Sequence, residues 1–167
     1  MPLKTLVMLL LAAWLPSIVS AATIILVRHA ERSSGMSADA NLSPAGERRA
    51  QELSQMLKDA RIQRIYVTEV RRTQQTAAPT AARLHLKPIV ISQKDTGALV
   101  GQLRELGQGE TVLVVGQADT LPGIIERLGG GRTPAFRDSE YDRLTVLVTG
   151  RGDKAQVVML RYGSIGQ

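Results

Sequence analysis

The chain has no cysteine, so neither disulfides nor a thiolate zinc site can hold the fold together. Aromatic residues are nearly as scarce, with one Trp, three Tyr and one Phe in 167 residues. Without aromatic platforms or any dense Lys/Arg run, the base-stacking surfaces of nucleic-acid binders are missing, and no nucleic-acid partner is expected. The 21 basic and 15 acidic side chains still leave a net charge of +6, which favours anionic partners of other kinds. Histidine occurs only at His29 and His85, and no metal-ligand spacing is visible.

Long apolar runs are also absent, except at the start. Lys4 precedes a mostly apolar stretch, Leu6 to Val19, broken only by Pro16 and Ser17 and followed by Ser20-Ala21-Ala22. That layout predicts a secretory signal peptide over residues 1–22, cleaved after Ala21 or Ala22. The run is shorter than the roughly 20 residues a spanning helix needs, so no stable membrane association is expected after cleavage. An exported chain without cysteine fits a bacterial periplasm. Residues 23–167 remain, enough for one domain with a real core, and loss of Lys4 leaves 20 basic against 15 acidic side chains.

From Thr23 onward, short apolar runs alternate with helical periods, the pattern of an α/β layered domain. Strands are expected at Thr23–Val27, Arg64–Val67, Pro88–Ile91 (an edge, because it begins with proline) and Thr111–Val115. Leu144–Val148 and Gln156–Leu160 read as a hairpin around Arg151-Gly152-Asp153. Ser43-Pro44 reads as N-cap and first residue of a helix with Ala50, Leu53, Leu57 and Ala60 on its apolar face. A second helix is expected over Val70–Leu84, kinked or shortened by Pro79, with His85 at its end. Asp95 and Asp119 are the natural N-caps of two more, the latter running to about Leu128 before Gly129-Gly130-Gly131 stops it.

Two buried strands end in polar residues rather than plain turns. The first runs into Arg28-His29 at the carboxyl edge of the sheet, where open α/β sheets bind ligands. Arg28 offers a planar fork of donors for an oxyanion, and His29 can act as nucleophile, base or acid near neutral pH. Arg71-Arg72 opens a helix, where cations oppose the helix dipole unless an anion is bound.

Taken together, these segments resemble the histidine phosphatase superfamily in its phosphoglycerate mutase-like branch. Leu26-Val27-Arg28-His29-Ala30-Glu31 resembles the family's Arg-His-Gly signature. Asn41-Leu42-Ser43-Pro44-Ala45-Gly46 resembles its helix start, and Arg72 falls where it has a second phosphate-binding arginine. Val114-Val115-Gly116-Gln117-Ala118-Asp119 resembles its second motif, and Glu140-Tyr141-Asp142-Arg143-Leu144 the segment before its late strands. The resemblance implies a single three-layer α/β/α domain with a mostly parallel sheet. It implies a phosphomonoester phosphatase acting on a small phosphorylated substrate without metal or other cofactor. His29 would be the nucleophile that becomes phosphohistidine, with Arg28 and Arg72 holding the phosphoryl oxygens. The departure is Gln117, where the family has its second pocket histidine. A neutral amide still donates an N–H, but charge-assisted hydrogen bonds are about twice as strong, and losing one transition-state donor typically costs about 10²–10³ in rate. Slow turnover is the expectation, and a phosphoanion-binding protein without turnover is the alternative. Glu31 and Asp119 are candidate proton donors, with Asp39 and Asp95 in competition.

Overall fold

The computed structural model describes residues 21–34, 39–150 and 154–163. The expected leader through Ser20 and the Arg151-Gly152-Asp153 loop lie outside them. The elements, in chain order, are β1 (Thr23–Arg28), α1 (Pro44–Met56), β2 (Arg64–Val67), α2 (Arg71–Leu84), β3 (Ile89–Val90), α3 (Thr96–Arg104), β4 (Thr111–Gly116), α4 (Leu121–Ile125), β5 (Arg143–Thr149) and β6 (Ala155–Arg161). Six strands form one sheet in the order β3-β2-β4-β1-β5-β6. The first four are parallel, whereas β5 runs antiparallel to both β1 and β6.

The central strands β1 and β4 are continuous runs of Ile, Leu and Val because both sheet faces are covered. On one face Ile25, Val27, Leu113 and Val115 pack with Leu53 of α1 and Ala77 and Ala81 of α2. On the other, Ile24, Leu26, Val112 and Val114 pack with Leu99 and Leu103 of α3 and with Leu121, Ile124 and Ile125 of α4. This is the expected three-layer α/β/α domain. No helix among the described residues is long and apolar enough to cross a membrane.

Local signals set most helix ends. Ser43 accepts the Gly46 N–H at 3.1 Å with Pro44 as first helical residue, and Asp95 accepts the Ala98 N–H at 2.9 Å. Gly46 is obligatory for a packing reason: a Cβ there would lie against the Glu31 carbonyl just past β1. Two expectations need correction. Pro79 does not shorten α2, which runs on to Leu84 because Thr76, Ala77, Thr80 and Ala81 are buried on either side of the proline. Asp119 does not cap α4: Thr120 holds that position, with no side-chain cap, and Asp119 is exposed one residue before it. As expected, the helical backbone runs on past Ile125 to Leu128 through one wide turn over Glu126–Gly130, where Gly129, at φ 85°, breaks it. Leu121, Ile124 and Ile125 seat on the sheet in barely more than one turn, so packing rather than a cap fixes its start.

Candidate active site

The parallel register builds the site. Arg28 pairs with Gly116 as the last rung between β1 and β4, so the next residues, His29 and Gln117, leave adjacent strands side by side at the carboxyl edge. The His29 N–H donates to the Gly116 carbonyl at 3.0 Å, carrying the alignment one residue beyond the ladder. Helix α2 starts at the same edge because it follows β2, which pairs with β4. The Thr76 hydroxyl accepts the Ala30 N–H at 2.9 Å and donates to the Arg72 carbonyl at 2.6 Å, fastening that helix to the residue after His29.

His29 is buried at 5 % exposure. Its Nδ1 lies 2.8 Å from the Ala30 carbonyl, which can only accept. Nδ1 therefore carries the ring hydrogen and Nε2 keeps its lone pair. Burial is the main reason that the imidazolium is disfavoured, and the charges of Arg72, Arg28 and Arg32 add to it; the hydrogen bond to Ala30 offsets only part, and the pKa falls from 6.5 to about 4. At neutral pH the ring is uncharged, with a lone pair on Nε2.

Its neighbours are donors. Arg72 directs Nε and Nη2 at the Gln117 Oε1, at 3.3 and 3.1 Å. That pairing fixes the amide: the oxygen faces the guanidinium, and Nε2 is turned the other way. The Gln117 Nε2 is buried and has no hydrogen-bond partner among the described residues, and the same holds for the Arg28 Nε. A buried donor left unmet costs about 1–3 kcal/mol. An oxyanion is the kind of group that would satisfy buried donors of this sort.

The rest of Arg28 serves a different purpose. Its Nη1 donates to the carbonyls of Arg137, Asp138 and Glu140 at 3.0–3.1 Å, and its guanidinium lies 4.1 Å over the Tyr141 ring. The segment before β5 thus straps across the site, and Tyr141 sits 6.1 Å from the His29 ring. Arg143 locks the strap from behind: it pairs with Glu140 at 2.7 Å and donates to the carbonyls of Pro134 and Ala135, with both partners of the ion pair buried. Burial alone would raise the Glu140 carboxyl; hydrogen bonds from Arg143 and the Arg137 N–H and the nearby guanidinium charges bring it down to about 2 instead.

The carboxylates separate by partner. Glu31 spends both oxygens on Arg49, at 2.9 Å from Nε and 2.8 Å from Nη2. Asp39 accepts the Arg71 N–H at 2.8 Å and pairs with its guanidinium, supplying from within the chain the anion that the basic helix start called for. Asp95 caps α3. Asp39 and Asp119 are both exposed with their charges felt at Arg72, but Asp119 has no hydrogen bond or ion pair among the described residues. His85 lies away at the left-handed C-cap of α2, φ 54°. Among the described residues no group of His, Asp and Glu is placed to hold a metal ion. Sequence reading missed Arg32, whose charge reaches both His29 and Arg72, and it gave Tyr141, Arg143 and Thr76 no role. The signal available for Arg143 was a charged pair three residues apart at the mouth of an apolar strand.

A strand-end imidazole among arginines, at the open edge of a three-layer α/β/α sheet, defines a phosphoglycerate mutase-like domain. Residues 24–94 match the family model of the histidine phosphatase superfamily (branch 1), and the domain has the fold of that superfamily's solved structures. The protein histidine phosphatase SixA, solved with tungstate, superposes with a TM-score of 0.67 at 17% identity over 83% of this chain and 96% of that one. An Escherichia coli K-12 protein proposed to be an alpha-ribazole-5'-phosphate phosphatase gives 0.68 at 19% identity over 87% and 100%. A phosphoserine phosphatase variant from Entamoeba histolytica, in complex with phosphoserine, gives 0.60 at 16% identity over 86% and 97%. At these identities the likeness is one of fold. No curated protein matches the chain in sequence.

Proposed function

We propose that this protein is a phosphatase that hydrolyses a phosphomonoester through a phosphohistidine on His29. The observation that carries the reading is the state of the imidazole: neutral, with Nδ1 tied to Ala30 and the lone pair left on Nε2, in a site where the Arg28 Nε and Gln117 Nε2 are buried without partners among the described residues. Nε2 attacks phosphorus in line with the ester oxygen. Arg28 Nε, Gln117 Nε2 and Arg72 meet the equatorial oxygens, which is most of what phosphoryl transfer asks of a protein. Asp119 is the preferred proton donor to the leaving oxygen, because Glu31, Asp39 and Asp95 are engaged elsewhere. Water then attacks the phosphohistidine, and Asp119 takes its proton. The family match, and neighbours that are phosphatases by name, support the class. The leader would carry the domain out of the cytoplasm, into the periplasm of a bacterial host.

A second reading rests on Gln117. Its oxygen absorbs two Arg72 donors, and its amide brings no charge to the phosphoryl group. A pocket of this kind binds phosphoanions while turning them over slowly or not at all.

The deciding measurement is hydrolysis of aryl and alkyl phosphates by the wild type and by His29→Ala, Gln117→His and Asp119→Asn, with acid-labile phosphoenzyme trapped by rapid quench. Wild-type turnover and phosphoenzyme that vanish in His29→Ala support the enzyme. Gln117→His is expected to gain about 10²-fold or more in rate. Asp119→Asn should slow the alkyl ester far more than the nitrophenyl ester, which needs no acid. Wild type equal to His29→Ala, with activity appearing only in Gln117→His, makes the binding reading the correct one.

A further inference from the structure

We infer that Arg32 forms a second anion subsite beside the phosphoryl pocket, so that the preferred ligand carries another negative group next to its phosphoryl group. The inference deepens the proposed function and rests on it. Arg32 lies three residues beyond His29, and its backbone is held on both sides. It forms an antiparallel bridge with Leu42, and the Ser33 N–H donates to the Asn41 carbonyl at 2.9 Å. The Leu42 N–H donates in turn to the Gln75 Oε1 at 2.8 Å, one residue before the Thr76 that fastens α2 at Ala30. The same helix therefore positions both Arg72 and the backbone that carries Arg32.

The cations around this edge divide by partner. Arg49 has Glu31, Arg71 has Asp39, and Arg143 and Arg161 share Glu140. Arg28 is held by three carbonyls, and Arg72 faces Gln117. The Arg32 side chain is exposed and forms no ion pair among the described residues. Its charge disfavours the charged forms of both His29 and Arg72, as does that of Arg28; Asp39 and Asp119 are the carboxylates that act back on Arg72. Three guanidinium groups that repel one another around a neutral imidazole are offset by a ligand of matching charge. A phosphoryl group over His29 uses the buried donors. Arg32, at the solvent side, is left for a charge on the part that protrudes: a carboxylate or a second phosphoryl group. Both are the planar or tetrahedral oxyanions that a guanidinium fork reads well.

The test uses ligands that cannot be hydrolysed, so it does not depend on turnover. Dissociation constants for methylphosphonate, phosphonoacetate and methylenediphosphonate are measured by calorimetry on the wild type, Arg32→Gln, Arg32→Lys and Arg72→Ala. The expected result is a preference of roughly three- to tenfold for one or both doubly anionic ligands over methylphosphonate. That ratio should fall towards one in Arg32→Gln and be partly kept in Arg32→Lys. Loss confined to phosphonoacetate identifies the second group as a carboxylate, and loss confined to methylenediphosphonate as a phosphoryl group. A ratio unchanged in Arg32→Gln, or no preference in the wild type, overturns the subsite and leaves the phosphoryl pocket standing. Wild-type protein that does not bind methylphosphonate, or binds it as weakly as Arg72→Ala does, overturns the pocket and the subsite together.

Discussion

His29 shows how a single side chain is set by its surroundings. The strand brings it to the sheet edge, burial removes water from it, and three arginines oppose its protonation. The ring should therefore titrate near 4 by NMR rather than at 6.5, and a midpoint above 6 would contradict the buried, arginine-ringed geometry. The sign for stability follows from proton counting. Between 6.5 and about 4 the unfolded chain binds a proton that the folded chain refuses, so stability rises with pH through that window. Acidification should cost up to about 3 kcal/mol from this group, the full cost being reached below about pH 4. In His29→Ala that part of the acid sensitivity should be absent, which melting curves from pH 7 to 4 can check. Arg28 and His29 were legible as a site from the abrupt end of an apolar strand. The orphaned Nε of Arg28 and Nε2 of Gln117 were not, because a missing partner is a property of the assembled interior.

The element that sequence reading undervalued is the strap before β5. Because β5 runs antiparallel to β1, its start lies at the edge where β1 ends, and residues 134–142 must cross the site to reach it. Nothing in local propensity announces this; it follows from strand order. The strap is held by the Glu140–Arg143 pair, with Arg161 on the same carboxylate, and by Arg28 through three carbonyls. Glu140→Gln leaves the buried Arg143 without its counter-charge and should destabilise the fold by about 3 kcal/mol. The pH dependence runs opposite to that of a raised group. Since the folded carboxyl is depressed to about 2, its stabilisation is present above the unfolded value near 4.5 and lost as pH falls through 2. Urea midpoints from pH 5 to 2 should therefore converge between wild type and variant, and a constant gap would show that Glu140 does not titrate in this way. A loosened strap also frees Arg28, so phosphate affinity should shift in the same variant at neutral pH.

At the scale of the molecule, the sheet was legible because β1 and β4 are too uniformly apolar to be anything but central strands, and the intervening helices carry clear faces. The register that pairs His29 with Gln117 was not legible from periodicity; only the likeness of two separated motifs brought them together. If the leader is cleaved as proposed, the pairing of β1 with β5 constrains where. Ala22 lies just before β1 and is buried at 2 % exposure, its N–H donating to the Thr149 hydroxyl at 2.8 Å and its carbonyl accepting the Thr149 N–H at 3.0 Å. The Ala21 carbonyl accepts the Gly109 N–H at 2.8 Å. Cleavage after Ala22 would discard all three bonds and leave the Thr23 ammonium at the half-buried start of β1, whereas cleavage after Ala21 keeps Ala22 and the backbone bond to Thr149. We therefore expect export to yield a chain that begins at Ala22, as intact mass and amino-terminal sequencing of the secreted protein will read. A chain engineered to begin at Thr23 should melt lower, by the loss of one or two hydrogen bonds at about 1 kcal/mol each. Equal melting of the two forms would mean that Ala22 contributes nothing to the edge of the sheet. A full-length product recovered from the membrane fraction would mean instead that the leader is an anchor.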